Sequence, residues 1–174
     1  QELLPKKCNL QMGNSTSVRY IQLFQNKSDI KYNGNRGVSG IDGTSSTAIG
    51  AAIINIDCTV LITGDLSFIY DINALWNKNA PDNLKIIVLN NEGGGIFKII
   101  PGPKETPYAE TFFETKHNVN LEKLSNAHQI PFNSANSIDD ATDKLKKLFS
   151  TKKTEILEMK TGNISNEDIL KDYF

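Results

Sequence analysis

Residues 59–95 decide the fold, and they read TVLITGDLSFIYDINALWNKNAPDNLKIIVLNNEGGG. The runs 59–63 and 84–89 are almost continuously apolar instead of alternating with polar residues. Runs of this kind are typical of central strands in a parallel sheet that is covered on both faces. Residues 67–79 between them predict a crossover helix, so the two runs would lie side by side in one sheet.

The rest of the chain repeats this alternation of short strands and helices. Further strands are predicted at 29–33 and 154–159, and further helices at 15–26, 44–55, 121–128, 137–149 and 165–173. The alternation predicts an α/β fold with a doubly wound, mostly parallel sheet and helices on both faces. Residues 93–120 break the pattern with glycines and prolines, and predict a long loop that contains one short helix.

The composition narrows the class of protein. A chain of 174 residues is long enough for one sizeable core, so residues 1–174 are interpreted as a single domain. The 19 Lys and Arg residues balance 20 Asp and Glu residues, which does not favour nucleic-acid binding, and no apolar run has the length of a membrane span. Two distant cysteines, Cys8 and Cys58, predict free thiols in a reducing compartment and therefore a cytoplasmic protein. The opening QELLPKKCNL has no initiator methionine and indicates a piece of a longer chain.

Polar residues follow both apolar runs at the point where each predicted strand ends. Asp65 comes after the first run, and Asn90 and Asn91 come after the second. The carboxyl ends of parallel strands form the edge at which open α/β sheets bind ligands. A carboxylate, an amide oxygen and a backbone carbonyl from the glycine run suit Mg²⁺ that keeps part of its coordination shell for phosphate oxygens. The alternative is that Asp65 only caps a helix and that the asparagines only form a turn.

A second glycine-bearing segment, NRGVSGIDGTSSTAIGAA at residues 35–52, favours a phosphate site. Gly37, Gly40 and Gly43 precede a helix of small residues that begins near Thr44. The segment has neither the Walker spacing nor the Rossmann spacing, which disfavours nucleotide hydrolysis and NAD binding. A flexible loop is the alternative interpretation. The small residues of the helix would allow close packing against strands or against a neighbouring subunit.

The pair Gly64-Asp65, followed about two dozen residues later by Asn90-Asn91, resembles the signature of thiamine-diphosphate enzymes. Leu66 stands where many members have glycine. This departure, together with GNSTSVR at 13–19 and NRGVSGIDG at 35–43, makes the sequence similar to one branch of the family, the carboligases of menaquinone biosynthesis. These enzymes decarboxylate 2-oxoglutarate and add the succinyl unit to isochorismate. The resemblance implies the C-terminal diphosphate-binding domain of a homodimeric or homotetrameric transferase, with the pyrimidine-binding and central domains absent.

The same resemblance implies roles for individual residues. It implies that Asp65, Asn91 and the carbonyl of Gly93 bind Mg²⁺ or Mn²⁺. Around thiamine diphosphate it places Ser39, Gly40, Ile41, Gly64, Asp65, Leu66, Ser67 and Asn91. The positions that match the substrate pocket are Ser15, Arg19, Arg36, Ile96, Phe97 and Ile100. Both substrates are dicarboxylates, for which arginine is a forked and permanently charged partner, and Arg19 and Arg36 are the only arginines of the chain.

No catalytic residue is expected within residues 1–174, because the resemblance places the activating glutamate on the missing pyrimidine-binding domain. The isolated chain is therefore expected to be inactive. Glu92, Glu114, His117 and His128 receive no role, since none of them lies in a matching motif. Two alternatives remain at this point: another carboligase similar to acetolactate synthase, and a flavodoxin-like module that binds phosphate without catalysis.

Overall fold

A six-stranded sheet forms the centre of the computed structural model, which describes residues 2–77 and 81–161. The strands are β1 (Asn9–Met12), β2 (Lys31–Gly34), β3 (Thr59–Gly64), β4 (Leu84–Asn90), β5 (Phe132–Ala135) and β6 (Glu155–Lys160). All neighbouring strands are parallel, and their order is β2-β1-β3-β4-β6-β5. The parallel sheet confirms the predicted α/β class.

Helices cover both faces of the sheet, as the doubly wound prediction requires. They are α1 (Thr16–Gln22), α2 (Thr44–Ile54), α3 (Asp65–Tyr70), α4 (Leu121–Ala127) and α5 (Ile138–Ser150). On one face, α2, α3 and α4 pack on the sheet through Ile49, Phe68 and Leu121. On the other face, α1 and α5 pack through Val18 and Leu148.

The apolar runs of β3 and β4 are explained by this arrangement, because their side chains alternate between two buried layers. In β3, Leu61 belongs to the core under α2 and α3, whereas Val60 and Ile62 belong to the core under α1 and α5. In β4, Ile86 and Ile87 divide in the same way. A strand that is buried on both faces of the sheet has no exposed position for a polar side chain, so its sequence is a nearly continuous apolar run.

The predicted strands at 59–63 and 84–89 are confirmed, and those at 29–33 and 154–159 are confirmed with bounds shifted by one or two residues. The sequence prediction did not include β1 and β5. These strands have only four residues each, NLQM and FNSA, and half of those residues are polar. Such short segments carry too little apolar pattern to be separated from loops.

The predicted helices 44–55, 121–128 and 137–149 are confirmed to within one residue at each end. Ser137 caps α5 as predicted, because its hydroxyl oxygen accepts a hydrogen bond from the Asp140 amide at 3.2 Å. The helix predicted at 15–26 is shorter and ends at Gln22. The helix predicted at 165–173 lies outside the described residues.

The prediction of one helix over 67–79 is wrong. An α-helix spans Asp65–Tyr70, and a 3₁₀ helix follows at Ile72–Trp76. Asp71 separates the two, with φ −122° and ψ 20°. Its carboxylate accepts hydrogen bonds from the amide and the hydroxyl of Ser46, at 2.6 and 2.7 Å, so the chain is held to the start of α2 instead of continuing the helix.

The prediction of one short helix in the long loop at 93–120 is also wrong, because the segment contains three short helices. The segment contains 3₁₀ helices at Gly95–Lys98 and Pro103–Glu105 and a π-helix at Ala109–Glu114. Phe97 packs on Phe113 with ring centroids 5.5 Å apart, and Lys98 pairs with Glu114 at 2.9 Å. These contacts between distant positions hold turns that are too short to show a helical period.

Cys8 and Cys58 are both free thiols, as predicted. Within residues 2–77 and 81–161, none of the helices combines the length and the apolar character that crossing a membrane requires.

Candidate functional site

The carboxyl ends of four neighbouring strands lead to the predicted site residues. The sheet places β2, β1, β3 and β4 side by side, and the chain leaves them towards Arg36, Ser15, Asp65 and Asn91, respectively. Parallel strands end at the same edge of a sheet, so these four segments lie in a row. The expectation that Asp65 and Asn91 follow adjacent strands is thereby confirmed.

The Asp65 carboxylate joins the two central segments directly. Its Oδ1 accepts a hydrogen bond from the Leu66 amide at 2.7 Å, which fixes the side chain at the first turn of α3. Its Oδ2 accepts a hydrogen bond from the Gly93 amide at 3.0 Å, across the gap between β3 and β4. The acid after β3 and the glycine loop after β4 therefore meet, as the sequence predicted.

Asp65 is buried, with only 2% of its surface exposed. Burial raises the pKa of its carboxyl, and the Leu66 amide, His117 and the Gly93 amide each oppose that shift. Among the described residues, no Lys or Arg forms an ion pair with Asp65. A buried carboxylate without a cationic side chain is costly. The loop that contacts Asp65 also carries the amide oxygen of Asn91 and the carbonyl of Gly93, which are oxygen donors of the kind that a divalent cation such as Mg²⁺ prefers.

The loop after β4, residues 91–95, is shaped by the space around its glycines. A Cβ at Gly93 would lie 2.8 Å from the carbonyl oxygen of Glu114, and a Cβ at Gly95 would lie 2.7 Å from Asn91 Nδ2. Glu92 adopts φ 62°, which is unusual for a residue with a side chain. The Glu92 side chain is exposed, so it adds no buried charge beside Asp65.

His117, which the sequence left without a role, lies against this site. Its Nε2 is 3.3 Å from Asp65 Oδ2, outside hydrogen-bonding geometry. Its Nδ1 accepts a hydrogen bond from the Val119 amide at 3.2 Å, and its own amide donates to the Glu92 carbonyl at 3.2 Å. Since His117 comes from an irregular segment far along the chain, nothing in its local sequence indicates this position.

The second glycine segment, residues 35–43, is held next to the start of α3. The Ser67 hydroxyl donates a hydrogen bond to the Ile41 carbonyl at 2.6 Å and lies 3.0 Å from Thr44 Oγ1. The Asn14 amide group donates to the Ser39 carbonyl at 2.5 Å. The segments GNSTSVR, NRGVSGIDG and GDLS, which are separate in sequence, are therefore in contact through hydrogen bonds.

Ser15 and Arg19, two of the predicted substrate residues, belong to the start and the last turn of α1. Ser15 has φ 71° and ψ −135°, a strained conformation for a serine. Strain of this kind is concentrated at functional sites. The Nε of Arg19 is buried and has no hydrogen-bond partner among the described residues, which leaves a charged donor available for a carboxylate.

The other predicted substrate residues differ in exposure. Arg36 is exposed on the segment after β2, while Ile96, Phe97 and Ile100 are half-buried beside the loop after β4. An apolar cavity of about 430 Å³ opens on the other side of that loop, under α1 and α5. Asn91 lines this cavity, but Ser15, Arg19 and Arg36 do not. The structure thus brings Asp65 into contact with the loop that carries Asn91 and Gly93, whereas the substrate candidates remain distributed along the sheet edge.

Comparison with known proteins shows the class of protein. Residues 11–159 match the family model described as thiamine pyrophosphate enzyme, C-terminal TPP binding domain, where TPP is thiamine diphosphate. The match covers most of the chain, so the chain belongs to this family. The predicted cofactor is thereby confirmed, and a flavodoxin-like module is not favoured.

The particular relatives are 2-succinyl-5-enolpyruvyl-6-hydroxy-3-cyclohexene-1-carboxylate synthases. The chain is 48% identical over 171 residues to the synthase of Flavobacterium psychrophilum, and 45% identical over 174 residues to that of Flavobacterium johnsoniae. These alignments cover 98% and 99% of the chain but 31% of each relative. The chain therefore spans about a third of the length of the curated relatives it matches.

Solved structures support the fold. Benzoylformate decarboxylase from Polynucleobacter necessarius superposes with a TM-score of 0.78 at 18% identity, covering 91% of this chain and 31% of that one. A putative thiamin diphosphate-dependent enzyme from Mycobacterium smegmatis gives a TM-score of 0.65 at 21% identity, covering 90% of this chain and 29% of that one.

Proposed function

We propose that the full-length protein is a thiamine-diphosphate-dependent carboligase of menaquinone biosynthesis. It would decarboxylate 2-oxoglutarate and add the succinyl unit to isochorismate. Residues 1–174 form its C-terminal domain, and the pyrimidine-binding and central domains belong to the rest of the protein. The observation that carries this proposal is the contact of the buried Asp65 carboxylate with the Gly93 amide, which joins both halves of the family signature at one point.

The role of this chain in the proposed enzyme is to hold the diphosphate end of the cofactor. Asp65, Asn91 and the Gly93 carbonyl would bind Mg²⁺ or Mn²⁺, which in turn takes ligands from the diphosphate. Gly64, Leu66 and Ser67 lie at the same strand end, and Ser39, Gly40 and Ile41 are held beside them by the hydrogen bond from Ser67. Thiamine diphosphate supplies the electron sink for decarboxylation and carbon–carbon bond formation when it is bound.

The substrates would be recognised through their carboxylates. The unpartnered Nε of Arg19 supports this role, because a buried charged donor without a partner is otherwise costly. Ser15 and Arg36 lie at the ends of neighbouring strands and would complete the polar side of the pocket. Ile96, Phe97 and Ile100 would form its apolar wall.

The proposed enzyme is a cytoplasmic homodimer or homotetramer, and its activating glutamate lies in the pyrimidine-binding domain. Residues 1–174 alone would then bind cofactor weakly and would be inactive. A carboligase similar to acetolactate synthase is less well supported, since relatives of nearly half identity are named as synthases of the menaquinone branch.

The experiment that tests the proposal uses the full-length protein with thiamine diphosphate, Mg²⁺, 2-oxoglutarate and isochorismate. We expect release of CO₂ from 2-oxoglutarate and formation of the coupled product. Turnover of pyruvate in place of both substrates, with no reaction of isochorismate, would contradict the assignment and favour the acetolactate type.

The first variant to test is Arg36→Ala. The loss of a charge-assisted hydrogen bond of about 1.5–3 kcal/mol is expected to raise KM for one of the two dicarboxylates about tenfold or more, with cofactor affinity unchanged. Lys31→Ala is the matched control, because Lys31 is an exposed cation at the start of β2, the strand whose other end leads to Arg36. Equal kinetics of wild type and Arg36→Ala would remove Arg36 from the substrate site.

A further inference from the structure

A buried carboxylate that no role above uses lies in β6, next to the loop that follows β4. Glu158 is only 4% exposed, and both of its oxygens accept hydrogen bonds from neighbouring strands. Oε1 accepts from the amide group of Asn90 in β4 at 2.7 Å, and Oε2 accepts from the hydroxyl of Ser134 in β5 at 2.7 Å. Lys160 Nζ lies 3.9 Å from Oε2 on a side chain that is more than half exposed.

Asn90 transmits this contact to the loop after β4. While its amide group donates to Glu158, its Oδ1 accepts a hydrogen bond from the Glu92 amide at 2.9 Å. The orientation of the Asn90 side chain is therefore determined at both ends. If the Asn90 amide turned over, a donor would face the Glu92 N–H and an acceptor would face the Glu158 carboxylate, which is unfavourable in a buried site.

Glu92 is the residue of the loop that most needs such support. It adopts φ 62°, and the hydrogen bond from its amide to Asn90 holds one side of it. On its other side, the Glu92 carbonyl accepts a hydrogen bond from the His117 amide at 3.2 Å. The next residue, Gly93, donates to Asp65 and carries the carbonyl that is assigned to the metal. The conformation of Glu92 thus sets the plane of the Glu92–Gly93 peptide, which directs the Gly93 N–H to Asp65 and fixes the path of the chain towards the Gly93 carbonyl.

We infer that Glu158 is a positioning residue that sets the metal-binding geometry of residues 91–93 through Asn90, without contacting the cofactor itself. The inference rests on the proposed metal site at Asp65, Asn91 and Gly93. Residues that orient metal ligands from behind commonly change metal affinity by about 10–100-fold when they are mutated. Glu158 would act in this way because its negative charge selects one orientation of the Asn90 amide.

The test compares Glu158→Ala with Glu155→Ala in the full-length protein. Glu155 is a matched control because it lies on the same strand, is 6% exposed, and accepts a hydrogen bond from the Asn133 amide group at 2.6 Å. Both variants remove a buried carboxylate and leave an asparagine amide without its acceptor. Only Glu158 is connected to the loop, so only Glu158→Ala should affect the metal.

Titration calorimetry of wild type with Mg²⁺ and thiamine diphosphate is the first measurement, and absence of Mg²⁺-dependent binding there would overturn the proposed function itself. With wild-type binding established, Glu158→Ala is expected to weaken apparent Mg²⁺ affinity about tenfold or more, and Glu155→Ala less than about twofold. Hydrogen exchange of the cofactor-free protein should be faster at the amides of Glu92 and Gly93 in Glu158→Ala only. Unchanged affinity together with unchanged exchange would overturn the inference.

Two further variants keep the inference testable where Glu158→Ala unfolds. Glu158→Gln keeps the side-chain volume but loses the charge, so we expect a smaller loss of Mg²⁺ affinity in the same direction. Asn90→Ala removes the connecting residue, and the Glu158→Gln change should then have no additional effect on Mg²⁺ affinity. Additive losses in the double variant would show that Glu158 acts through general stability and would overturn the assigned route.

Discussion

Asp65 affects stability in opposite directions in the cofactor-free protein and in the cation-bound protein. Its carboxylate is surrounded by donors that fix its direction, yet burial raises its pKa because the charged form loses solvation. A carboxyl whose folded pKa is raised contributes stability below its unfolded pKa, and that contribution is lost as pH rises through the folded pKa. Above its raised folded pKa the ionised Asp65 therefore destabilises the cofactor-free protein, and a bound cation would offset that effect.

This conflict predicts a pH dependence of cofactor retention. A proton and a divalent cation compete for the same carboxylate, so Mg²⁺ affinity should fall as pH is lowered, with a midpoint above 3.8, the ordinary pKa of Asp. Mg²⁺ titrations of the full-length protein between about pH 5 and pH 8 measure this effect. Asp65→Ala should show no Mg²⁺-dependent retention at any of these pH values. In contrast, Asp71→Ala, at the other end of α3, should retain the wild-type profile.

A side chain at Gly93 is disfavoured by lack of space as well as by the backbone conformation. Gly93→Ala would place a methyl group 2.8 Å from the Glu114 carbonyl oxygen, which belongs to the backbone and cannot turn away. We expect a loss of about 1–3 kcal/mol in unfolding free energy, together with loss of Mg²⁺-dependent cofactor binding. Gly37→Ala is the control, because nothing lies within 4 Å of a Cβ at Gly37. Urea denaturation and calorimetry of both variants distinguish the outcomes, and normal binding by Gly93→Ala would contradict the assigned loop geometry.

At the scale of secondary-structure elements, the strands that position the site could be predicted and their flanking strands could not. β3 and β4 are buried on both faces, so their apolar runs identify them and place Asp65 and Asn91 at one edge. In contrast, β1 and β5 are short and half polar, and they become strands because neighbouring strands supply their hydrogen bonds. Local sequence cannot express a preference that comes from neighbours distant in the chain.

The same reason explains what was missed at the site. Asp65, Asn91 and the glycines form a motif with recognisable spacing, so they could be proposed from sequence. His117 reaches Asp65 from an irregular segment, and Glu158 reaches the loop from β6 through Asn90 of the adjacent strand β4. Their positions follow from the order β4-β6-β5 and from packing of residues 93–120, neither of which has a local signature. Sequence therefore indicated the direct ligand candidates, while the residues behind them required the structure.

At the scale of the whole molecule, large apolar side chains are exposed around α2 without a covering contact among the described residues. Around α2 and the 3₁₀ helix Ile72–Trp76, several large apolar side chains are exposed, including Ile54 at 86% and Ile56 at 98%. Trp76, in the 3₁₀ helix that contacts α2, is exposed as well. Large apolar side chains that are exposed on neighbouring elements commonly mark a protein contact. The small residues of α2 would let a neighbouring backbone approach closely, consistent with the homodimer or homotetramer proposed for the full-length protein.

Gly50 provides a test of this surface. It is an exposed residue of α2, and nothing lies within 4 Å of a Cβ at that position. Within one subunit, Gly50→Arg should therefore be tolerated, and exchange of glycine inside a helix contributes up to about 1 kcal/mol of stability. In the assembled protein the long charged side chain would occupy the space of the partner, so we expect dissociation to monomers, or to a smaller oligomer, in sedimentation and light-scattering measurements.

The matched control is Asp143→Arg, which introduces the same side chain at an exposed position of α5, on the opposite face of the sheet. Within residues 2–77 and 81–161, the Asp143 side chain is paired only with Lys146, at 3.6 Å on the surface, so its loss has little effect on stability. Because Gly50→Arg is expected to favour the helix, dissociation in that variant alone cannot result from a weakened α2 and must come from the contact surface. Wild-type assembly of the Gly50→Arg protein would show that the exposed face of α2 does not lie between subunits.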